Sequence, residues 1–363
     1  MAYILSAGVS IPEYRIRQEQ AEEMIKDIFP RSEREIERLL PAFKNSQIKE
    51  RQFVVPLEWF KEDHAFHERN QLYEHEAVTH AVSAIRNCLT NNILLNQQVR
   101  PEKIDCVIFA SSTGIATPSI DVRFMNELNF RNDTVRMPIW GLGCVAGACS
   151  LSRAYEWLQA NPEKSVLVVC LEFCSLAFQK DDHRKSNFIG TVLFGDGAAS
   201  VLLAGDRSPL IQKGGRQVPK IMAASSKFKK NALDVMGWEI REKGFYVIFA
   251  KSIPRLVETF WKHHFKEFLN KTEVKEGDLS YFIAHPGGIK VLEAYERVMT
   301  EPGDKLKYSR EILHHHGNMS SPTVLYVLKK VMEEQQMKGK QSILTALGPG
   351  FSSELLLLEW KSV

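Results

Sequence analysis

Cys144 stands in the segment Met137-Pro138-Ile139-Trp140-Gly141-Leu142-Gly143-Cys144-Val145-Ala146-Gly147-Ala148-Cys149-Ser150, where an apolar run ends in two glycines and small residues lead into the helical pattern Ala154, Trp157, Leu158. This order predicts a strand, a tight turn and a helix with the thiol at the helix N-terminus. Glycine permits the sharp bend and the close approach of other groups. Unpaired N–H groups and the positive end of the helix dipole favour a thiolate there, and the thiolate is the nucleophile. Two other segments share the design. Phe282-Ile283-Ala284-His285-Pro286-Gly287-Gly288 sets a histidine directly after an apolar strand, and Gly317-Asn318-Met319-Ser320-Ser321-Pro322 sets an asparagine in a turn before a helix. Strand ends and helix starts converge on one edge of an α/β sheet, where ligand sites form. An imidazole can take the thiol proton or hold the thiolate as an ion pair. With the Asn318 amide it can donate hydrogen bonds to an oxyanion on a thioester carbonyl. Each residue also has an ordinary role open to it: a buried apolar cysteine, a histidine packed after a strand, an asparagine capping a helix. His314, His315 and His316 are adjacent and so point in different directions, which argues against a metal site.

The elements that must position these groups follow from the rest of the chain. Its 363 residues exceed a typical single domain, and 44% hydrophobic with 25% charged residues is ordinary for a globular protein with a large core. Apolar β-branched runs alternate with helical patterns, the signature of α/β layers around a buried sheet. Strands are predicted at Tyr3–Val9, Ile104–Ser111, Arg136–Trp140, Ser165–Glu172 and Ala198–Ala204, then at Lys220–Ser225, Phe245–Phe249, Tyr281–Ala284, Ser342–Leu347 and Glu354–Trp360, with helices between them that include Tyr73–Leu89 and Val145–Ala160. The polar stretch Gly205–Pro219 suggests a boundary, giving residues 1–215 the cysteine and 216–363 the histidine and asparagine. Ile104–Ala110 leading into Ser112-Thr113-Gly114 resembles Leu279–Ala284 leading into His285-Pro286-Gly287, which suggests an old duplication of the two halves. A net charge of +3 gives no reason to expect nucleic acid as a partner. No apolar run reaches the roughly 18 residues of a membrane span, and the N-terminus lacks the pattern of a signal peptide. Six cysteines without metal-type or disulfide spacing fit a reduced, cytoplasmic protein.

Five motifs in order make a family resemblance specific: Trp140-Gly141-Leu142-Gly143-Cys144-Val145-Ala146-Gly147, Leu193-Phe194-Gly195-Asp196-Gly197-Ala198-Ala199, Ile283-Ala284-His285-Pro286-Gly287-Gly288, Gly317-Asn318-Met319-Ser320-Ser321 and Gly348-Pro349-Gly350. Over essentially its whole length the chain resembles the type III polyketide synthases, the chalcone and stilbene synthase-like group of the thiolase superfamily. Asn70-Gln71-Leu72-Tyr73 and Phe53-Val54-Val55-Pro56 look most like bacillus-type members that make alkylpyrones. The resemblance implies a five-layered αβαβα thiolase fold of two pseudo-duplicated halves and a homodimeric enzyme that needs no cofactor or metal. Cys144 would carry an acyl group from a coenzyme A thioester, and His285 and Asn318 would hold the enolate left by decarboxylation of malonyl-CoA. The lengthened chain would return to Cys144 and finally cyclise.

The resemblance also assigns substrate-binding positions. Phe194 matches an aromatic gatekeeper between the coenzyme A tunnel and the reaction cavity. The second gatekeeper of plant members aligns with Val247, and two threonine cavity positions align with Cys174 and Ala177. Lost ring and hydroxyl volume makes a roomier, less polar cavity and favours a long aliphatic starter over a phenylpropanoid. Ser320, Gly287 and Gly288, within the matched motifs, and Ser112, in the turn after Ile104–Ala110, are further substrate-binding candidates. Coenzyme A phosphates call for a basic entrance, expected around Lys44, Asn45, Lys49 and Arg51, with Lys44 and Lys49 as the candidates. Thr117 matches the loop that crosses the dimer interface to the partner's cavity. A ketoacyl synthase of the fatty-acid initiation type is the nearest alternative, since it uses the same Cys, His and Asn roles. It should show a basic docking patch for a carrier protein and a different histidine loop. A hydroxymethylglutaryl-CoA synthase-like enzyme needs a glutamate base that the sequence does not place beside Cys144. A non-catalytic acyl-binding scaffold is disfavoured by the intact Cys, His and Asn.

Overall fold

A computed structural model describes residues 1–29, 33–215, 217–334 and 339–362; residue 216, at the expected boundary, lies outside them. The strands are β1 (Ala2–Ser10), β2 (Tyr14–Arg17), β3 (Glu50–Phe53), β4 (Cys106–Ala110), β5 (Val135–Ile139), β6 (Ser165–Phe173), β7 (Asp196–Gly205), β8 (Val218–Phe228), β9 (Met236–Arg241), β10 (Gly244–Phe249), β11 (Leu279–Ala284), β12 (Gln341–Gly348) and β13 (Ser352–Lys361). One nine-stranded sheet runs in the order β11-β12-β13-β8-β1-β7-β6-β4-β5. Each half repeats one pairing scheme from the centre outward. β1 to β7 and β7 to β6 are antiparallel and β6 to β4 is parallel; β8 to β13 and β13 to β12 are antiparallel and β12 to β11 is parallel. β5 extends the first half and has no counterpart. The halves join through the short register Ala2↔Ile221 and Tyr3↔Lys220. The repeated scheme is the structural form of the duplication suggested by the two strand-turn motifs.

Side-chain alternation explains the layers. In β6, Val166, Val168 and Cys170 face a core shared with the helices Ala146–Ala160 and Thr323–Glu333, while Leu167, Val169 and Leu171 face a second core with the helix Phe66–Leu89. β12 and β13 contribute Leu344, Ala346, Leu356 and Leu358 to the first of these cores. Both half-sheets thus cover the same pair of central helices and carry other helices outside, which is the thiolase-like αβαβα layering expected. Because the strands are covered on both faces, they read as continuous apolar runs. No helix among the described residues is long and apolar enough to cross a membrane.

Several elements differ from the sequence expectation, which does not include β2, β3 or β9. Phe245–Phe249 does form a strand, but within a separate hairpin with β9, pairing Val247 with Trp238, and not in the main sheet. β9 escapes prediction because Met236-Gly237-Trp238-Glu239-Ile240-Arg241 mixes glycine and charge without clean alternation. The helix expected from Tyr73 begins earlier, at Phe66, where the Glu68 carboxylate accepts from the Ala65 N–H at 2.7 Å and closes the first turn.

The two central helices begin in direct contact. A Cβ placed on Gly147 would lie 2.3 Å from the Ser321 carbonyl oxygen and 2.8 Å from Val324. Gly147→Ala is therefore expected to lower the urea-unfolding free energy by about 1–3 kcal/mol. Gly277→Ala, whose Cβ would meet only a Glu301 oxygen at 3.9 Å, should stay within about 0.5 kcal/mol of the parent. Equal stability of the two variants would contradict this packing.

Candidate active site

The chain leaves β5 through Gly141 and Gly143, both at positive φ (89° and 49°), and enters a 3₁₀ turn Gly143–Val145 that runs straight into the helix Ala146–Ala160. Cys144 sits at that helix start, as its sequence context demands, and is buried. The turn is held from below: the Ser112 hydroxyl oxygen accepts from the N–H groups of Gly141 and Gly143 at 3.2 and 3.3 Å. Gly348 closes in from β12, where a Cβ would meet the Val145 nitrogen at 2.6 Å.

Asn318 lies between the helix Lys307–His316 and the helix Thr323–Glu333. Its amide oxygen accepts from Ser320 N–H at 2.8 Å, fixing the ring of the turn, and its amide nitrogen donates to the Gly287 carbonyl at 3.3 Å. The Cys144 thiol reaches the same Asn318 oxygen at 3.9 Å. Backbone bonds tie this turn to the neighbouring loop, from Asn318 N–H to Leu193 oxygen at 2.8 Å and from Gly195 N–H to Asn318 oxygen at 2.9 Å. They set Phe194 beside Asn318. His285 follows β11 and is buried, with its backbone N–H on the Thr345 oxygen at 2.8 Å. Neither of its ring nitrogens has a partner among the described residues, while its ring flanks Gly287, whose carbonyl Asn318 holds. Cys144, Asn318, Gly287 and His285 thus form one contiguous group. Gly288, at φ 153°, turns the chain into the helix Ile289–Val298 against Leu193.

Burial dominates the electrostatics. It pushes the Cys144 thiol up to about 11, against hydrogen bonding with Ser320 and Asn318, and it lowers His285 to about 3. The thiolate expected from the helix N-terminus alone is therefore corrected: desolvation of a fully buried sulfur outweighs the partial charge of a helix end. Taken singly, both groups are neutral at physiological pH. A proton moved from sulfur to imidazole creates the two charges together, so the pocket keeps its net charge.

Glu172 is a functional candidate that sequence reasoning missed. It is fully buried at the end of β6, accepting from Ser112 N–H at 2.8 Å and from the Ser321 hydroxyl at 3.0 Å, and burial raises its carboxyl to about 7. It clamps the loop beneath Cys144 to the loop beyond Asn318. The signal was a lone acid in an otherwise apolar, all-buried strand.

Two small cavities, each about 30 Å³, open beside this group. One touches Gly143, Cys144, Ser320, Pro349, Met236 and Phe249; the other lies among Met24, Phe53, Phe60, Cys174, Ala177 and Phe178. Phe194, Trp238 and Val247 line both and form the wall between them, with the Phe194 and Trp238 ring centroids 6.0 Å apart. The expected positions Phe194, Val247, Cys174, Ala177 and Ser320 are thus brought together. Trp238 was missed along with its strand. Thr117 is exposed and lines neither cavity. Lys44 and Lys49 are exposed and line neither cavity, while Arg51, from the same expected basic region, is instead wholly buried, donating to the Val192 carbonyl. The β2–β3 pairing that places Arg51 in register with Ile16 turns it inward. His314, His315 and His316 diverge as expected: His314 Nδ1 meets the Gln47 oxygen, His315 Nδ1 lies 3.7 Å from Glu50, and His316 Nδ1 meets Gln52.

Comparison with known proteins agrees with this arrangement. The family models for the chalcone and stilbene synthase N-terminal and C-terminal domains match residues 1–207 and 220–362. A Bacillus subtilis (strain 168) protein named for chalcone synthase is 48% identical over 362 residues, covering 99% of each chain. The 1,3,6,8-tetrahydroxynaphthalene synthase of Streptomyces coelicolor is 29% identical over 363 residues, covering 100% of this chain and 93% of that one. The crystal structure of the Streptomyces coelicolor enzyme, a bacterial type III polyketide synthase, superposes with a TM-score of 0.91 at 26% identity over 100% of both chains. The chain belongs to the chalcone and stilbene synthase family, the type III polyketide synthases.

Proposed function

We propose that this chain condenses a long-chain fatty acyl-CoA with malonyl-CoA by decarboxylative Claisen chemistry, yielding tri- and tetraketide alkylpyrones or alkylresorcinols. It would act in the cytoplasm as a homodimer without metal or cofactor. The observation that carries the starter assignment is the second cavity, whose lining is mainly apolar: Met24, Phe53, Phe60, Cys174, Ala177 and Phe178 offer an alkyl chain walls behind the reaction centre, with Arg51, Ser175, Asn187 and Thr191 as the polar part of the lining. At about 30 Å³ it holds little more than a water's volume, so an acyl chain enters only as the wall of Phe194, Trp238 and Val247 swings aside.

The chemistry uses each group where it stands. His285 takes the Cys144 proton, and the thiolate attacks the starter thioester, releasing coenzyme A as the thiol and leaving an acyl-cysteine. Malonyl-CoA then loses carbon dioxide, and the electron pair of the broken bond passes to the α-carbon and thioester oxygen. The neutral imidazole and the free N–H of the Asn318 amide donate to that oxygen. Both ring nitrogens of His285 are free for this work, and the Asn318 amide is oriented by Ser320. The α-carbon attacks the acyl-cysteine carbonyl, expelling the Cys144 thiolate and giving a β-ketoacyl-CoA; the thiolate then attacks that thioester, releasing coenzyme A and taking the extended chain back onto the sulfur. Support for the dimer comes from β5, an edge strand in the sheet with Val135 exposed, continued by exposed Trp140 and near exposed Ile115; such an edge invites pairing with a second copy.

Incubation with malonyl-CoA and a ladder of acyl-CoA starters, read by product mass, tests the reading directly. Long saturated starters should give tri- and tetraketides at least about tenfold faster than 4-coumaroyl-CoA, a margin of about 1.4 kcal/mol in transition-state binding; faster turnover of 4-coumaroyl-CoA, or turnover only with malonyl-carrier protein, would contradict it. Trp238→Ala, by joining the two cavities, should shift the preferred starter to longer chains or add an extension step, and an unchanged product pattern would remove Trp238 from the wall. For the thiol, the rate of Cys144 alkylation by iodoacetamide should depend on His285. Without the imidazole the thiol pKa of about 11 governs, so His285→Ala should react at least about tenfold more slowly at pH 7 and accelerate about tenfold per pH unit above it. Superimposable pH profiles for parent and variant would refute proton transfer to His285.

A further inference from the structure

Phe228 and Leu233 are the most exposed large apolar side chains among the described residues, at 65% and 81% exposure. Both lie on the turn that leaves β8, Lys227-Phe228-Lys229-Lys230-Asn231-Ala232-Leu233-Asp234, which sets three lysines against one aspartate. Lys227 pairs with Glu267, whereas Lys229 and Lys230 have no carboxylate partner among the described residues. The turn is held firmly while its apolar tips point out. Lys229 N–H donates to the Phe351 oxygen at 2.7 Å, Ala232 and Val235 are buried, and Asn231 takes the left-handed conformation at φ 55°. A presentation fixed in advance spares the entropy of ordering a loop on its target.

Apolar side chains beside unpaired cations match the boundary of an anionic bilayer, where rings and aliphatic chains enter the interface and ammonium groups meet lipid phosphates. We propose that this turn docks the protein reversibly on anionic phospholipid, with Phe228 and Leu233 inserted and Lys229 and Lys230 on the headgroups. A second copy of the chain is a poorer occupant, because two side chains fall far short of the roughly 800 Å² per partner of a stable interface and like charges would meet. Leu233 stands three residues, at most about 10 Å of backbone, from Met236, which lines the Cys144 cavity. Docking would therefore hold the reaction centre next to the phase in which long acyl chains dissolve. That advantage rests on the starter class proposed above; the docking itself does not.

Flotation of the full protein with vesicles of pure phosphatidylcholine, and of phosphatidylcholine with about 30% phosphatidylglycerol, tests the proposal. Binding should be confined to the anionic vesicles and weaken as salt rises. K229E/K230E should cut it by at least about fivefold per lysine. F228S/L233S should also abolish flotation, and all variants should turn over a short, soluble acyl-CoA at the parental rate. Equal binding to both vesicles, or variants that float like the parent, would overturn the proposal. So would a parent that ignores vesicles but self-associates, or binds an acidic carrier protein, through Phe228 and Leu233. A parent without any turnover would count against the polyketide reading alone, since flotation is read separately.

Discussion

The site depends on one backbone contact, where the two central helices begin. Gly147 lies so close to the Ser321 carbonyl that no side chain fits between them. That contact fixes the offset between a helix whose first turn holds Cys144 and a helix whose preceding turn holds Asn318. Residues 174 positions apart in sequence share a polar contact because of it. Both helices pack their apolar faces against the two half-sheets. The duplicated pairing scheme supplies two similar halves of one nine-stranded sheet; β5 leads into the Cys144 turn and β11 into His285, while Asn318 comes from a turn between two helices.

Burial sets the chemistry as well as the geometry. An enclosed sulfur, imidazole and two carboxyls all shift toward their neutral forms: Cys144 up to about 11, His285 down to about 3, Glu172 and Asp196 up to about 7. Burial alone favours the neutral forms, and the proposed mechanism would make charge by proton transfer between sulfur and imidazole and hold the substrate anion with neutral donors, which act more strongly where water is excluded. Glu172 stays fully hydrogen-bonded between Ser112 and Ser321, so its role is to brace both loops while contributing little charge.

Much of this was legible in the residues. Glycine brackets around Cys144 and His285 announced strand-turn-helix units, because glycine passes readily through the positive φ values and close contacts those turns require; the turn of Asn318 instead joins two helices and carries Ser320 at φ 59°. The motif order carried the fold and the family. What stayed hidden was set by register and by long-range packing. Trp238 is invisible as a cavity wall because β9 lacks a clean alternating pattern, so the hairpin that pairs it with Val247, the aligned gatekeeper position, is not legible either. Arg51 looked like an entrance cation, and only its pairing in the β2–β3 ribbon shows that it faces inward. The thiol was read from its helix start, a local feature, whereas its ionisation follows from enclosure by segments distant in sequence.

The convergence on Cys144 is tested most directly by trapping the loaded enzyme. The protein is incubated with a long-chain acyl-CoA in the absence of malonyl-CoA, quenched in acid, digested and analysed by peptide mass spectrometry. The account predicts one acyl thioester on the peptide bearing Cys144, lost in Cys144→Ala, and none on the peptides of the other cysteines. An acyl group on Cys174 or another cysteine, or turnover that persists in Cys144→Ala, would contradict it.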